Sequence, residues 1–390
     1  MDASPAVQLY SSEFLRDPYP TLAWLRQHSP VWYAEDRHAF IVTRYDDCLA
    51  LLTDAARFAD TSDDGTPLAS QPAVHIQYRS LVNRAFTTTF VANLEPRIQV
   101  LTDRLIDAFA GSEVADFIDA VAYPLPTLVL ADLLGLTESE RPVFTAWADD
   151  YTCALGDFQP EVQARYQHAA AELVAYFGYK LHQRRPPASH DLLARLTEAR
   201  LDGNRLSATD ILSLCNQLMI AARDLATGLL GNSLHALLSQ PHQWQRLRAE
   251  PSTLDSVIEE CLRWDTPVLG QARTSLTDVS LRGVRVPAGS SVMVMLGSAN
   301  RDPAVFAEPD RFDCRRYNAG QHLAFGRGIH FCLGAPLARL ETRVVLRTLL
   351  ERLPNVRLAP DSPPARRAPG QMLNLRAFRS LTIALDAGPR

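Results

Sequence analysis

Phe325-Gly326-Arg327-Gly328-Ile329-His330-Phe331-Cys332-Leu333-Gly334, running straight into Ala335-Pro336-Leu337-Ala338-Arg339, decides how the rest of this chain is read. Glycines at 326, 328 and 334 predict a tight turn around Cys332. Pro336 is tolerated in the first turn of a helix, where its missing N–H would have had no partner. A cysteine is thereby set at a helix N-terminus. Backbone N–H groups and the positive end of the helix dipole favour its thiolate, the form in which cysteine binds a metal. The plain alternative for one cysteine in a glycine-rich turn is a buried thiol. That is the expectation for the five others, which lie far apart without a C-x-x-C pair and outline neither a disulfide framework nor a zinc site.

Outward from this loop, apolar residues recur at three-four spacing over residues 98–110, 162–183, 191–199, 208–239, 253–264 and 333–353. Strand signals are short and fall in two places, 31–43 and 272–296, so the expected fold is mainly α with a small β-rich lobe. The chain has 390 residues, 47% of them hydrophobic, enough for a large core. No repeat, charge run or long linker divides it, and one domain over 1–390 is expected. For the longest helix, Ser207-Ala208-Thr209-Asp210 predicts a capped start and Pro241 a stop. Its middle, Leu218-Met219-Ile220-Ala221-Ala222, is apolar all the way round and therefore buried on every side. Ala221 and Ala222 leave room for something flat, or are ordinary helix-packing alanines.

A net charge of -5 gives no case for nucleic acid or an anionic membrane as partner. The most apolar stretch, 121–136, is broken by Pro124, Pro126 and Asp132 and is too short to span a bilayer, so it reads as a buried helix. Met1-Asp2-Ala3-Ser4-Pro5 has neither the basic nor the apolar region of a cleaved signal, and a cytoplasmic location is expected.

The pattern Phe-Gly-x-Gly-x-His-x-Cys-x-Gly followed by Ala-Pro-Leu-Ala-Arg resembles the haem-binding loop of the cytochrome P450 superfamily in its soluble bacterial form. Further landmarks fall in the family's order from Asp17-Pro18-Tyr19 to Leu373-Asn374-Leu375-Arg376. The resemblance implies the triangular, mostly α prism of that family, with haem b between the long central helix and the helix after Cys332. It implies that Cys332 is the axial ligand of the iron, with Phe325, Gly326 and Gly334 shaping its loop. A thiolate in that position pushes electron density toward bound oxygen and favours O–O cleavage. By the same resemblance Glu260 and Arg263, at i and i+3, form a buried pair with Arg311 of Pro309-Asp310-Arg311-Phe312 and support the loop structurally. The haem propionates fall to His75, Arg79, Arg273 and His330, of which His75 and Arg79, at i and i+4, share one helix face.

Two departures from the family pattern bear on activity. Relatives carry Ala-Gly-x-(Asp/Glu)-Thr over the oxygen site, whereas Ala221-Ala222-Arg223-Asp224-Leu225 keeps the small residue and the acid but has Leu225 at the alcohol position. Ala221, Ala222, Asp224 and Leu225 are thus the expected oxygen-site residues, Asp224 relaying protons. Thr227 lies about 200° further round and is expected to bond back to its own backbone. Arg223 is expected to point away and pair elsewhere, because a buried unpaired guanidinium is costly. The second departure is segment 58–75, shorter than in most relatives. It implies an open pocket for a large, extended or carrier-protein-tethered substrate, unless 151–166 closes the site. The expected reaction is reductive activation of dioxygen and insertion of one oxygen atom into a C–H or C=C bond of a secondary-metabolic substrate. The expected protein is a monomer fed by a ferredoxin and its ferredoxin reductase. Arg339, Arg343 and Arg347, at i, i+4 and i+8, make a basic stripe suited to an acidic partner, or an ordinary solvated face. With Leu225 in place of the alcohol, a peroxide-driven or oxidative-coupling enzyme is one alternative, and a non-catalytic haem sensor or electron carrier is another.

Overall fold

Ser207 closes the start of a 31-residue helix, Ala208–Leu238, with a capping box. Its hydroxyl accepts from the Asp210 amide at 3.1 Å and the Asp210 carboxylate accepts from the Ser207 amide at 2.8 Å, satisfying two of the amides a helix start leaves unpaired. At ~1.5 Å per residue this central helix is about 46 Å long. The computed structural model describes residues 9, 11–60, 72–153, 159–183, 191–200, 203–366 and 375–385. In it the central helix packs against Pro124–Leu133, Pro160–His182, Leu254–Trp264 and Ala335–Arg352. Leu229, Leu230, Leu234 and Leu237 are all buried in the resulting core, each contributing roughly 2 kcal/mol by its removal from water. Gly231 permits the close approach of Ile118, whose Cδ1 would lie 2.8 Å from a Cβ placed there. The apolar stretch at 121–136 is a buried helix as expected, divided at Pro124 into a π turn, Ile118–Ala122, and the α-helix Pro124–Leu133.

The β-rich lobe is a five-stranded sheet in the order Val31–Ala34, Ala39–Val42, Ser291–Val294, Gln271–Ser275, Phe58–Asp60. Ala39–Val42 and Ser291–Val294 are parallel and the other neighbours antiparallel. The register sets Asp60 directly opposite Arg273. The architecture is therefore mainly α with a small β lobe, and among the described residues no helix is long and apolar enough to cross a membrane. The lobe meets the cysteine loop at Gly328. Its φ is +75°, and a Cβ there would sit 2.5 Å from the carbonyl oxygen of Leu52 in helix Tyr45–Thr53, so only glycine fits.

Candidate functional site

The cysteine loop closes on itself through the Cys332 amide, which donates to the Phe325 carbonyl at 3.0 Å, and Gly326 and Gly328 turn it with positive φ. Gly334 caps helix Ala335–Arg352, and Pro336 lies in its first turn. Burial pushes the Cys332 thiol up. The amides of Gly334 and Ala335 and the guanidinium groups of Arg79 and Arg339 pull it down without reversing the balance. The helix start alone therefore does not make the thiolate, and metal coordination, which deprotonates a thiol outright, has to supply the difference.

Cys332 opens into a cavity between the central helix and the helix that follows the loop. Leu218, Leu225, Ala226 and Leu229 face it from one side and Gly334, Leu337, Ala338 and Glu341 from the other. Among the described lining residues only Gln271, Cys332 and Glu341 bring polar side chains. Leu225, read as the alcohol position, lines this cavity. Asp224 is buried beside it but is not among the lining residues, and its charge is felt by Asp149 of helix Arg141–Cys153. The side chains of Ala221 and Ala222 lie outside the description, as does segment 61–71, which holds most of the expected short lid.

His75, Arg79, Arg273 and His330 converge. The His75 and His330 rings are 4.3 Å apart, Arg79 donates to the Phe331 carbonyl, and Arg273 and His330 each lie 3.7 Å from the Asp60 carboxylate. His75 is 2% exposed and its Nδ1 has no partner. Burial first, then His330 and Arg79, push its pKa down to about 4. Two guanidinium groups and two imidazoles gather here, and among the described residues the Asp60 carboxylate stands against Arg273 and His330. A soft sulfur, an apolar cavity and a cation-rich end with an orphaned imidazole nitrogen fit an iron porphyrin bearing two propionates.

The supporting pair is present with one correction. Glu260 and Arg263 are both fully buried and joined twice, at 2.6 and 2.8 Å, and Arg263 also donates to the carbonyls of Asn300, Pro309 and Arg311. Arg311 itself is not the third member: its side chain is 58% exposed and turns to Glu308 and Asp313. The third guanidinium is that of Arg316, which donates to Glu260 at 3.1 Å and whose side chain is 8% exposed. Arg311 sits on the rim of the turn, so only its backbone reaches inward. Of the two readings of the basic stripe, the ion pairs favour the solvated face, since Arg339, Arg343 and Arg347 are paired with Glu259, Asp255 and Glu95. Arg223 pairs with Asp149 at 2.7 Å and lies over the Tyr123 ring, away from the cavity, and Thr227 donates to the Arg223 carbonyl at 2.9 Å, both as expected. Leu225, expected at the oxygen site, lines the cavity together with Leu218, Pro267, Val268 and Gln271. Glu341 was missed, although Gly334, Leu337, Ala338 and Glu341 stand at i, i+3, i+4 and i+7 on one helix face.

The sequence model of the family described as Cytochrome P450 matches residues 156–376. Cytochrome P450 monooxygenase PikC from Streptomyces venezuelae is 39% identical over 365 residues, covering 89% of this chain and 86% of that protein. Mycinamicin IV hydroxylase/epoxidase from Micromonospora griseorubida is 35% identical over 358 residues, 87% of this chain and 88% of that one. The crystal structure of CYP109E1 from Bacillus megaterium with corticosterone superposes with a TM-score of 0.90 at 30% identity, covering 96% of this chain and 100% of its own. With a thiol set in a glycine-turned loop and a cavity beside it suited to haem b, the chain belongs to the cytochrome P450 family of oxygen-incorporating oxidoreductases.

Proposed function

We propose that the chain hydroxylates or epoxidises a large, predominantly apolar molecule of secondary metabolism, using two electrons from a ferredoxin and its reductase. The observation that carries the substrate class is the cavity, whose described lining has three polar side chains and is otherwise aliphatic or aromatic. Hydroxylation and epoxidation are the reactions named for the Micromonospora relative. Haem, when bound, supplies the binding and reductive activation of dioxygen. Cys332 would hold its iron, and His75, Arg79, Arg273 and His330 its propionates. Leu218, Leu225 and Leu229 exclude water and press an apolar substrate into place. Asp224 holds the acid of the proton path. Leu225 brings no hydroxyl, so the last hydrogen bond falls to ordered water or to a polar group of the substrate, and proton delivery then depends on the right substrate being present.

A substrate-binding spectral titration of the purified ferric protein, with free molecules beside the same molecules loaded on a carrier protein, tests this reading. A high-spin shift with a free apolar ligand supports it, and a shift confined to carrier-bound ligands replaces it with a docking enzyme. Leu225 at the cavity also favours a second reading, peroxide-driven turnover or oxidative coupling. Turnover with hydrogen peroxide that exceeds turnover with a ferredoxin system would establish that one. Leu225→Thr should change the coupling of reductant to product under the first reading.

A further inference from the structure

Glu259 stands next to Glu260 but, about 100° round the helix from it, faces a different set of partners. Its carboxylate accepts from Arg339 Nε at 2.6 Å and Arg339 Nη2 at 2.8 Å, and it lies 3.1 Å from His322 Nε2. His322 is 2% exposed, and its Nδ1 accepts from the Ala324 amide at 3.1 Å, so the proton is on Nε2 and is donated to Glu259. Burial pushes the Glu259 carboxyl up, but hydrogen bonds from Arg339 and His322 hold it at about 2. His322 lies three residues before Phe325, where the cysteine loop begins, and Arg339 lies in the first turns of the helix that leaves it. One carboxylate therefore grips the loop at both ends. Between them, the Arg339 guanidinium carbon sits 4.6 Å over the Phe325 ring, and the carbonyl of that same Phe325 takes the Cys332 amide.

We propose that Glu259 is a positioning residue for the haem thiolate: by pinning Arg339 against Phe325 and holding His322, it sets both the geometry of the cysteine loop and the positive charge the sulfur experiences. The inference rests on the haem-thiolate reading and extends it to a pair outside the cavity. Its physical basis is that partly buried charges near an axial ligand bias the iron between its two oxidation states, a cation favouring the reduced form and an anion the oxidised form. Glu259 and Arg339 nearly cancel as a pair. Removing either one exposes the other.

The test is the ferric/ferrous midpoint potential of the haem-loaded protein in Glu259→Gln, Arg339→Gln and the double variant, with the ferrous carbonyl spectrum as a second readout. Glu259→Gln should raise the potential, Arg339→Gln should lower it, and the double variant should fall between them. Glu95→Gln frees Arg347 two turns further along the same helix and should leave the potential unchanged. Should Glu259→Gln fail to retain haem, Glu259→Asp, which keeps the charge, should restore both retention and the parent potential. Shifts of the same sign in Glu259→Gln and Arg339→Gln, or no shift in either, overturn the proposal. An unmodified protein whose reduced carbonyl complex has the Soret band of imidazole ligation would instead overturn the haem-thiolate reading itself, before any variant is compared.

Discussion

Arg316 and Arg311 lie five residues apart and differ in what their removal exposes. Arg316 closes the charge of fully buried Glu260 and also donates to the carbonyls of Ala307, Glu308 and Arg311, so Arg316→Gln leaves a buried carboxylate with Arg263 and the Asp313 amide and removes a donor from each of those carbonyls. A loss of about 3 kcal/mol is expected, together with weaker haem retention. Arg311→Gln removes exposed ion pairs and should stay within about 0.5 kcal/mol of the parent. Urea unfolding of the two variants checks both expectations. A second contrast concerns two cysteines. Cys332→Ala should abolish the thiolate-type carbonyl spectrum, whereas Cys261→Ala, a buried thiol in the core, should leave it intact at the cost of a small cavity. Arg316 was not legible beforehand because Arg311 occupies the recognisable Pro-Asp-Arg-Phe segment, and no one-dimensional pattern distinguishes a side chain that turns inward from one that turns out.

Elements were legible in proportion to their length. The central helix and Ala335–Arg352 repeat their apolar spacing over many turns, and the capping signal at Ser207 marks its start to the residue. Val114–Asp116, Arg357–Leu358 and Phe378–Ser380 are two or three residues long, less than is needed to display alternation, and their pairing is set by the helices around them. The cysteine loop lies between these extremes: its glycines announce a turn, but not that Gly328 is pressed against the Leu52 carbonyl. Gly328→Ala combines a left-handed backbone with a 2.5 Å clash against main chain that cannot swing aside. The expected result is a loop displaced from its seat, seen as conversion of the carbonyl complex to the imidazole-like form and as a midpoint of unfolding lowered by several degrees.

Over the whole molecule, stability should depend on pH from both sides. His235 packs on Phe378, and burial, followed by Arg366, pushes its pKa from 6.5 to about 4. The unfolded chain therefore binds this proton first, and the contribution, up to roughly 3 kcal/mol at ~1.4 kcal/mol per pKa unit, is present above pH 6.5 and lost as pH falls toward 4. Glu341 has the opposite sign. Burial raises its carboxyl from 4.5 to about 8, so its contribution is complete below pH 4.5 and declines as pH rises to about 8. Thermal unfolding of the holoprotein across this range should show His235→Gln flattening the acid limb and Glu341→Gln flattening the alkaline one. An acid limb unchanged by His235→Gln would assign it to other groups.

The contact between Gly328 and Leu52 also orders events in time. The ribosome releases Leu52 long before it reaches the turn that must rest on it, an interval of roughly 15 to 55 seconds at the usual rates of chain elongation. An iron porphyrin arriving in that interval finds neither the sulfur nor the floor of its cavity, so cofactor capture belongs to the last stage of synthesis or after it, and a nascent chain truncated before residue 328 should emerge colourless however much haem is supplied.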